Sequence, residues 1–223
     1  MTIDSVIHRV HEIGIVPVVR ASSVDEARRA VDAICAGGIP VIEITMTVPD
    51  ATNIIKQVVR QYGRNILTGA GTVVTADQAK MCLDAGADFL VSPGLSIPVL
   101  QVAASRQKLA IPGALTPTEV IAALDAGATL IKVFPCGSVG GPKYLKALRA
   151  PFPEPRFIPT GGVNLSNAAE YIAAGAFALG VGADLVDLAA LRDNRSQKII
   201  DTARALLEAV RIARDGLAAS AHL

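Results

Sequence analysis

Ala126-Gly127-Ala128-Thr129-Leu130-Ile131-Lys132-Val133-Phe134-Pro135 joins the end of a helical pattern directly to an apolar run that contains one charge. A glycine at a helix C-terminus supplies the left-handed conformation that stops the helix, and its small neighbours let the chain turn straight into a strand. The same punctuation recurs at Ala36-Gly37-Gly38, Ala85-Gly86-Ala87 and Ala174-Gly175-Ala176, with Gly37, Gly86, Gly127 and Gly175 spaced 49, 41 and 48 residues apart. One strand-plus-helix unit takes roughly 20 to 30 residues, so each interval holds two units. Four double units make eight.

The eight expected strands are Ile15 to Arg20, Val41 to Thr47, Ile66 to Ala70, Asp88 to Ser92, Ala110 to Gly113, Thr129 to Phe134, Arg156 to Thr160 and Ala178 to Gly182. They are short, rich in Val, Ile, Leu or Phe, and mostly continuous rather than alternating, as parallel strands covered on both faces must be. Helix starts are signalled at Ser23-Val24-Asp25-Glu26, Pro49-Asp50, Thr75-Ala76-Asp77, Thr116-Pro117-Thr118-Glu119 and Asn164-Leu165-Ser166-Asn167. Ile3, Val6, Ile7 and Val10 share one helical face before the first strand, and Ile199, Ala203, Leu206 and Val210 mark a long closing helix, with a frayed tail expected from Gly216. An open eight-stranded sheet would leave two edges to protect, so the expected fold is α/β: a (β/α)8 TIM barrel with an extra N-terminal helix, the doubly wound sheet being the alternative.

The chain of 223 residues is expected to form a single domain over 1–223, since no linker or low-complexity tract interrupts it. Hydrophobic residues are 51% and charged ones 18%, while aromatics are 4% and Trp is absent, so the core must be aliphatic. With 21 basic and 20 acidic side chains the net charge is +1, which provides no global field for nucleic acid or an anionic membrane. Cys35, Cys82 and Cys136 lack metal-type spacing, and Met1-Thr2-Ile3-Asp4 lacks a signal-peptide profile, so reduced thiols and a cytoplasmic location are expected. The uncharged run from Phe89 to Ser105 is broken by Pro93, Gly94 and Pro98 and does not read as a membrane span. His8, His11 and His222 lie near the chain ends, which argues against an imidazole-bound metal and the epimerase chemistry it would serve.

Charges inside apolar strands, or at their C-terminal ends, are where such a fold places function. Lys132 shares a face with Leu130 and Phe134, Glu43 shares one with Val41, Thr45 and Thr47, and Arg20 ends the first strand. A lysine is nucleophilic only when neutral; from an ordinary value near 10.4, desolvation can lower its pKa by ~3 to 5 units. Lys132 is therefore a candidate for imine formation with a carbonyl substrate, and Glu43 for moving protons around it. The plainer alternative is a structural ion pair. Pro159-Thr160-Gly161-Gly162-Val163 and Gly180-Val181-Gly182-Ala183-Asp184 end the last two strands, where backbone N–H groups commonly hold a phosphate, although glycine pairs also serve as mere turns. Thr72, after Gly69-Ala70-Gly71, could donate its hydroxyl to a substrate carboxylate or simply open a helix.

Ile42-Glu43-Ile44-Thr45, Gly69-Ala70-Gly71-Thr72, Ser92-Pro93-Gly94, Ile131-Lys132-Val133-Phe134-Pro135 and Pro159-Thr160-Gly161-Gly162-Val163 together resemble the 2-keto-3-deoxy-6-phosphogluconate / 4-hydroxy-2-oxoglutarate (KDPG/KHG) aldolase family, in order, from about residue 5 to residue 212. The resemblance implies a class I aldolase on a (β/α)8 barrel, a homotrimer, with no metal and no cofactor, acting on a phosphorylated 2-oxo acid and pyruvate in the Entner-Doudoroff pathway. It implies Lys132 as the Schiff-base lysine and Glu43 as general acid/base. Arg20 and Thr72 would lie near the pyruvyl carboxylate, Thr160 near substrate hydroxyls, Pro93 and Phe134 against the substrate, and Gly161, Gly162, Gly182 and Ala183 around the phosphate. Thr47 stands where many members carry Arg, and Ala183 where some carry Ser. The galactonate-derived epimer and 4-hydroxy-2-oxoglutarate therefore remain open as substrates, as does a phosphometabolite-binding barrel without turnover.

Overall fold

Strand and helix alternate along the chain, whose computed structural model describes residues 1–220. The strands are β1 (Ile15–Val19), β2 (Val41–Thr45), β3 (Leu67–Gly71), β4 (Phe89–Val91), β5 (Leu109–Ile111), β6 (Gly113–Ala114), β7 (Leu130–Val133), β8 (Arg156–Pro159) and β9 (Leu179–Val181). Every pairing between them is parallel. Six form one sheet in the order β5-β4-β3-β2-β1-β9, and three form a second in the order β6-β7-β8. The sheets approach each other at two seams: a single bridge joins Thr160 to Gly180, and Pro112 separates β5 from β6. The expected strand at 110–113 is thus divided. Proline has no N–H to give a ladder and breaks it at that point.

The helices are α1 (Ile3–Ile13), α2 (Val24–Ala36), α3 (Ala51–Tyr62), α4 (Ala76–Asp84), α5 (Ile97–Ser105), α6 (Pro117–Asp125), α7 (Pro142–Arg149), α8 (Ala168–Ala173), α9 (Leu188–Arg192) and α10 (Gln197–Ser220). Ser23, Thr75 and Thr116 cap their helices through their hydroxyls, and Thr116 with Glu119 completes a reciprocal capping box. Asp50 and Asn167 precede helices without capping them; the Asn167 amide oxygen instead accepts the Asn164 N–H at 2.9 Å.

Three of the four punctuating glycines, Gly86, Gly127 and Gly175, have the expected positive φ. In the first copy that role falls to Gly38 (φ 95), one residue later. Gly37 answers a different need, because a Cβ there would come within 2.5 Å of the Ala203 Cβ on α10. The tail expected to fray from Gly216 continues as helix to Ser220, and Arg211 contacts both Glu208 and Asp215 at 2.7 Å across successive turns just before it. His222 lies outside the described residues.

The core is aliphatic as composition requires, with Ile, Val, Leu and Ala from both helices and strands at or near zero exposure; Tyr171, Phe89 and Phe157 are its largest members. Among the described residues, no helix is long and apolar enough to cross a membrane, and no group of His, Cys, Asp or Glu side chains is gathered to hold a metal. All three cysteines are free thiols.

Candidate active site

Alternation along each strand turns one set of side chains toward a shared interior. Val16 and Val18 with Arg20 at the end of β1, Glu43 on β2, Lys132 on β7 and Ile158 with Thr160 on and after β8 belong to this set. Beyond the C-terminal strand ends the interior widens into a cavity of 790 Å³. Arg20, Thr72, Pro93, Lys132, Phe134 and Thr160 line it, and so do Gly161, Gly162, Gly182 and Ala183. Glu43 does not line this cavity. It lies below, beside a void of only 10 Å³ that it shares with Lys132, so the lysine stands between the carboxyl and the open space.

Lys132 is 7% exposed and Glu43 2%, and Lys132 Nζ stands 3.8 Å from Glu43 Oε1. That separation is longer than a hydrogen bond, and Oε1 has no hydrogen-bond partner. Burial pushes the Glu43 carboxyl above its ordinary value, against the opposing pull of the Lys132 and Arg20 charges. Nζ also lies 5.4 Å from the centre of the Phe134 ring. The seat for Glu43 is made by its neighbour strand: β3 reads Leu67-Thr68-Gly69-Ala70-Gly71, and a Cβ on Gly71 would collide with the Glu43 carboxyl. On the same face Gly69 makes room for the Phe89 ring, and across the fold Gly180 makes room for the Thr160 hydroxyl.

Thr72 takes φ +56, a left-handed conformation that is an outlier for a β-branched residue. Thr47 is exposed and outside the cavity lining, its hydroxyl 2.7 Å from that of Thr45. Of the lining residues only Arg20 and Lys132 are cationic. The glycine-rich ends of β8 and β9 offer backbone instead: Gly161 and Gly162 have φ +86 and +77. The N–H groups of Gly162, Ala183 and Asp184 have no partner within the chain among the described residues. Gly162 does not open a helix directly, since the Asn164–Asn167 turn intervenes before α8. The Gly182 carbonyl accepts from Leu185 and Val186, starting a turn that leads toward α9.

Sequence reading missed most of the far wall of the cavity, formed by Ser22, Asp187 and Leu188 beside Asp184 of the quoted Gly180–Asp184 stretch. Ser22 stands next to a helix cap that was legible, whereas Asp187 is itself the cap of α9, its carboxylate accepting the Ala190 N–H at 2.8 Å. Asp followed by a short apolar run was the available signal.

Comparison with known proteins agrees with this geometry. The family model for KDPG and KHG aldolase matches residues 6–202. The chain is 36% identical over 169 residues to the 2-dehydro-3-deoxy-phosphogluconate aldolase of Treponema pallidum (strain Nichols), covering 76% of this chain and 80% of the relative. It is also 36% identical over 172 residues to a probable 2-dehydro-3-deoxy-6-phosphogalactonate aldolase of Rhizobium meliloti (strain 1021), covering 77% and 81%. Among solved structures, KDPG aldolase from Legionella pneumophila, with pyruvate captured as a covalent carbinolamine intermediate, superposes with a TM-score of 0.83 at 30% identity, covering 90% of this chain and 97% of that one. The chain is thus an enzyme of the lyase class that makes and breaks carbon–carbon bonds, an aldolase. It belongs to the KDPG and KHG aldolase family.

Proposed function

We propose that the protein reversibly cleaves 2-keto-3-deoxy-6-phosphogluconate to pyruvate and glyceraldehyde 3-phosphate through an imine on Lys132, with Glu43 as general acid/base. The observation that carries this reading is the buried amine at the cavity floor with an unpartnered carboxyl oxygen 3.8 Å beneath it. A buried ion pair is a poor stabiliser compared with apolar residues of the same volume, so two such charges among aliphatic strands call for a chemical reason.

The neutral Lys132 amine adds to the C2 carbonyl, and Glu43 in its acid form donates the proton with which the carbinolamine hydroxyl departs as water, leaving a protonated imine and a Glu43 carboxylate. Glu43, through a water molecule, takes the proton of the C4 hydroxyl as the C3–C4 bond breaks. The electron pair of that bond moves into the imine to form an enamine, and the aldehyde departs. The proton held by Glu43 is returned to C3, and water hydrolyses the resulting imine to free the amine and pyruvate. A carboxyl raised by burial is suited to both halves of this cycle, because it holds a proton more readily than an ordinary carboxylate and can still release it. Arg20 and Thr72 hold the substrate carboxylate, Pro93 and Phe134 flank the pyruvyl group, Thr160 meets substrate hydroxyls, and the backbone of Gly161, Gly162, Gly182 and Ala183 receives the phosphate. The test is incubation with pyruvate and borohydride followed by peptide mapping. The expected adduct is on Lys132; unmodified, folded protein overturns the assignment.

A second reading takes the galactonate-derived epimer as substrate, favoured by equal identity of 36% to relatives named for either sugar. The position of Thr47 outside the cavity, which leaves the carboxylate to Arg20, bears on the same choice, as does the hydroxyl that Ala183 lacks. Rates on both epimers and on 4-hydroxy-2-oxoglutarate decide it.

The architecture that accompanies this function is a single-domain closed (β/α)8 barrel, with the two sheets continuous through the Thr160–Gly180 bridge and the Pro112 seam and α1 packed as an additional helix. We assign it to the cytoplasm, in keeping with three free thiols. We further assign it a homotrimeric state, supported by exposed Met81, Ile97 and Ile121 on α4, α5 and α6 and by a groove between α5 and α6. Sedimentation equilibrium tests the trimer.

A further inference from the structure

The far wall of the cavity is built from two segments distant in sequence: the β1–α2 loop, which contributes Ser22, and the β9–α9 segment, which contributes Asp184, Asp187 and Leu188. They are joined behind the wall. Arg192, at the end of α9, donates through Nε to Glu26 Oε1 at 2.6 Å and through Nη2 to the Ser22 hydroxyl at 3.2 Å. Glu26 Oε2 accepts the Ser22 N–H at 3.0 Å and its hydroxyl at 2.6 Å. In the opposite direction, Arg29 of α2 reaches the Leu191 carbonyl at 2.5 Å and the Asn194 side chain at 3.0 Å. Asp187, at the other end of α9, is fixed by Lys198 at 2.7 Å.

Glu26 is 8% exposed, and its carboxylate accepts from the Ser22 N–H, the Ser22 hydroxyl and Arg192 Nε, all within this junction. Ser22 and Arg192 are exposed, so the network is anchored on one buried carboxylate, and its several charge-assisted bonds hold it more firmly than a lone surface ion pair. Neither Glu26, Arg29 nor Arg192 lines the cavity. The Ser22 hydroxyl spends its single proton on Glu26, so Ser22 contributes position to the wall rather than a donor to a ligand.

We propose that Arg192, Glu26 and Arg29 form a reciprocal clamp of positioning residues that sets the width of the cavity at the phosphate end, and so selects substrates by their remote terminus rather than by their reacting carbons. The inference rests on the reading of Lys132 as the imine-forming residue, since that reading decides which end of the substrate faces the wall. Remote binding is converted into turnover only when both ends of the substrate are held in register, so loosening the clamp penalises a long phosphorylated substrate and spares a short one.

The experiment compares Arg192→Ala with the unmodified protein on two substrates, 2-keto-3-deoxy-6-phosphogluconate and the unphosphorylated 4-hydroxy-2-oxoglutarate. It is repeated with Arg29→Ala, whose side chain contacts only the outer part of the junction. Expected is a loss in kcat/KM of about fivefold or more for the phosphorylated substrate, visible in kcat as well as KM, with the short substrate changed less than about twofold. Arg192→Lys should recover part of the loss, and pyruvate trapping on Lys132 should proceed at the unmodified rate. Equal losses on both substrates, or none on either, overturn the clamp. Should Arg192→Ala fail to fold, Arg29→Ala and Arg192→Lys carry the same comparison. Absence of the pyruvate adduct in the unmodified protein is a separate result that removes the imine reading itself.

Discussion

The Glu43 carboxyl occupies the space that any side chain at position 71 would require. On the proposed role of Glu43, Gly71 supports the acid/base group without touching substrate. Gly71→Ala should displace Glu43 from beneath Lys132 and lower turnover by about 100-fold or more, at an overpacking cost of roughly 1 to 3 kcal/mol. Steady-state turnover beside a thermal melt checks it. A folded variant with unchanged turnover would show that Glu43 acts from elsewhere or not at all.

Glu43→Gln keeps the volume and removes the titratable group. Turnover should fall by about 10²- to 10⁴-fold, while pyruvate can still be trapped on Lys132 by borohydride. Burial raises the Glu43 carboxyl above its ordinary 4.5, so the acidic limb of the unmodified enzyme's pH–rate profile should lie above that value. In the variant the limb disappears. A limb that persists unchanged belongs to another group.

Lys132→Met leaves Glu43 buried without a cationic neighbour on β7. The raised carboxyl is neutral below its folded pKa and must be ionised above it, so the variant's stability deficit should grow as pH rises and shrink toward acid. Adding Glu43→Gln to Lys132→Met should recover the stability and not the activity. Chemical denaturation of the single and double variants at two pH values distinguishes this from a simple packing defect, which would not depend on pH.

Thr72→Gly relieves a left-handed β-branched residue whose strain costs of order 1 to 2 kcal/mol, offset in part by the unfolded-state entropy of glycine. Stability should be nearly unchanged while KM for the oxo acid rises. A large loss of stability with an unaltered KM would mark Thr72 as a structural residue.

Glu26 is held at about 2 by hydrogen bonds from Arg192 and Ser22. Its contribution to stability is present above an ordinary value of 4.5 and is lost as pH falls toward 2. Arg192→Ala should therefore destabilise most above 4.5, and the two unfolding curves should converge near 2. A pH-independent gap would place the effect in packing.

The parallel strands were legible because doubly buried strands must be continuously apolar, and that requirement makes a lone Lys132 or Glu43 conspicuous. The strand expected from Ala110 to Gly113 ran across Pro112, although proline cannot serve a ladder and the break was there to be read. The displaced left-handed residue at Gly38 was not, because only the approach of Ala203 from α10 distinguishes it from Gly37. The same holds for the junction of Ser22, Glu26 and Arg192, whose members come from opposite ends of the chain. A capping pattern announces a local partner; an arginine that crosses between α9 and α2 announces nothing in one dimension. Gly71 stood within a recognised motif, but its purpose, leaving room for a carboxyl on β2, is visible only across the β2–β3 register.

The carboxyl is carried by the six-stranded sheet and the amine by the three-stranded one. A nascent chain that has emerged only as far as β4 carries Glu43 without Lys132, so on the proposed roles it cannot yet capture an oxo acid. Amine and carboxyl face each other only once both sheets are in place. Recovery of enzymatic function after denaturation should accordingly lag the return of helical signal, which makes catalysis itself a gauge of the last step of assembly.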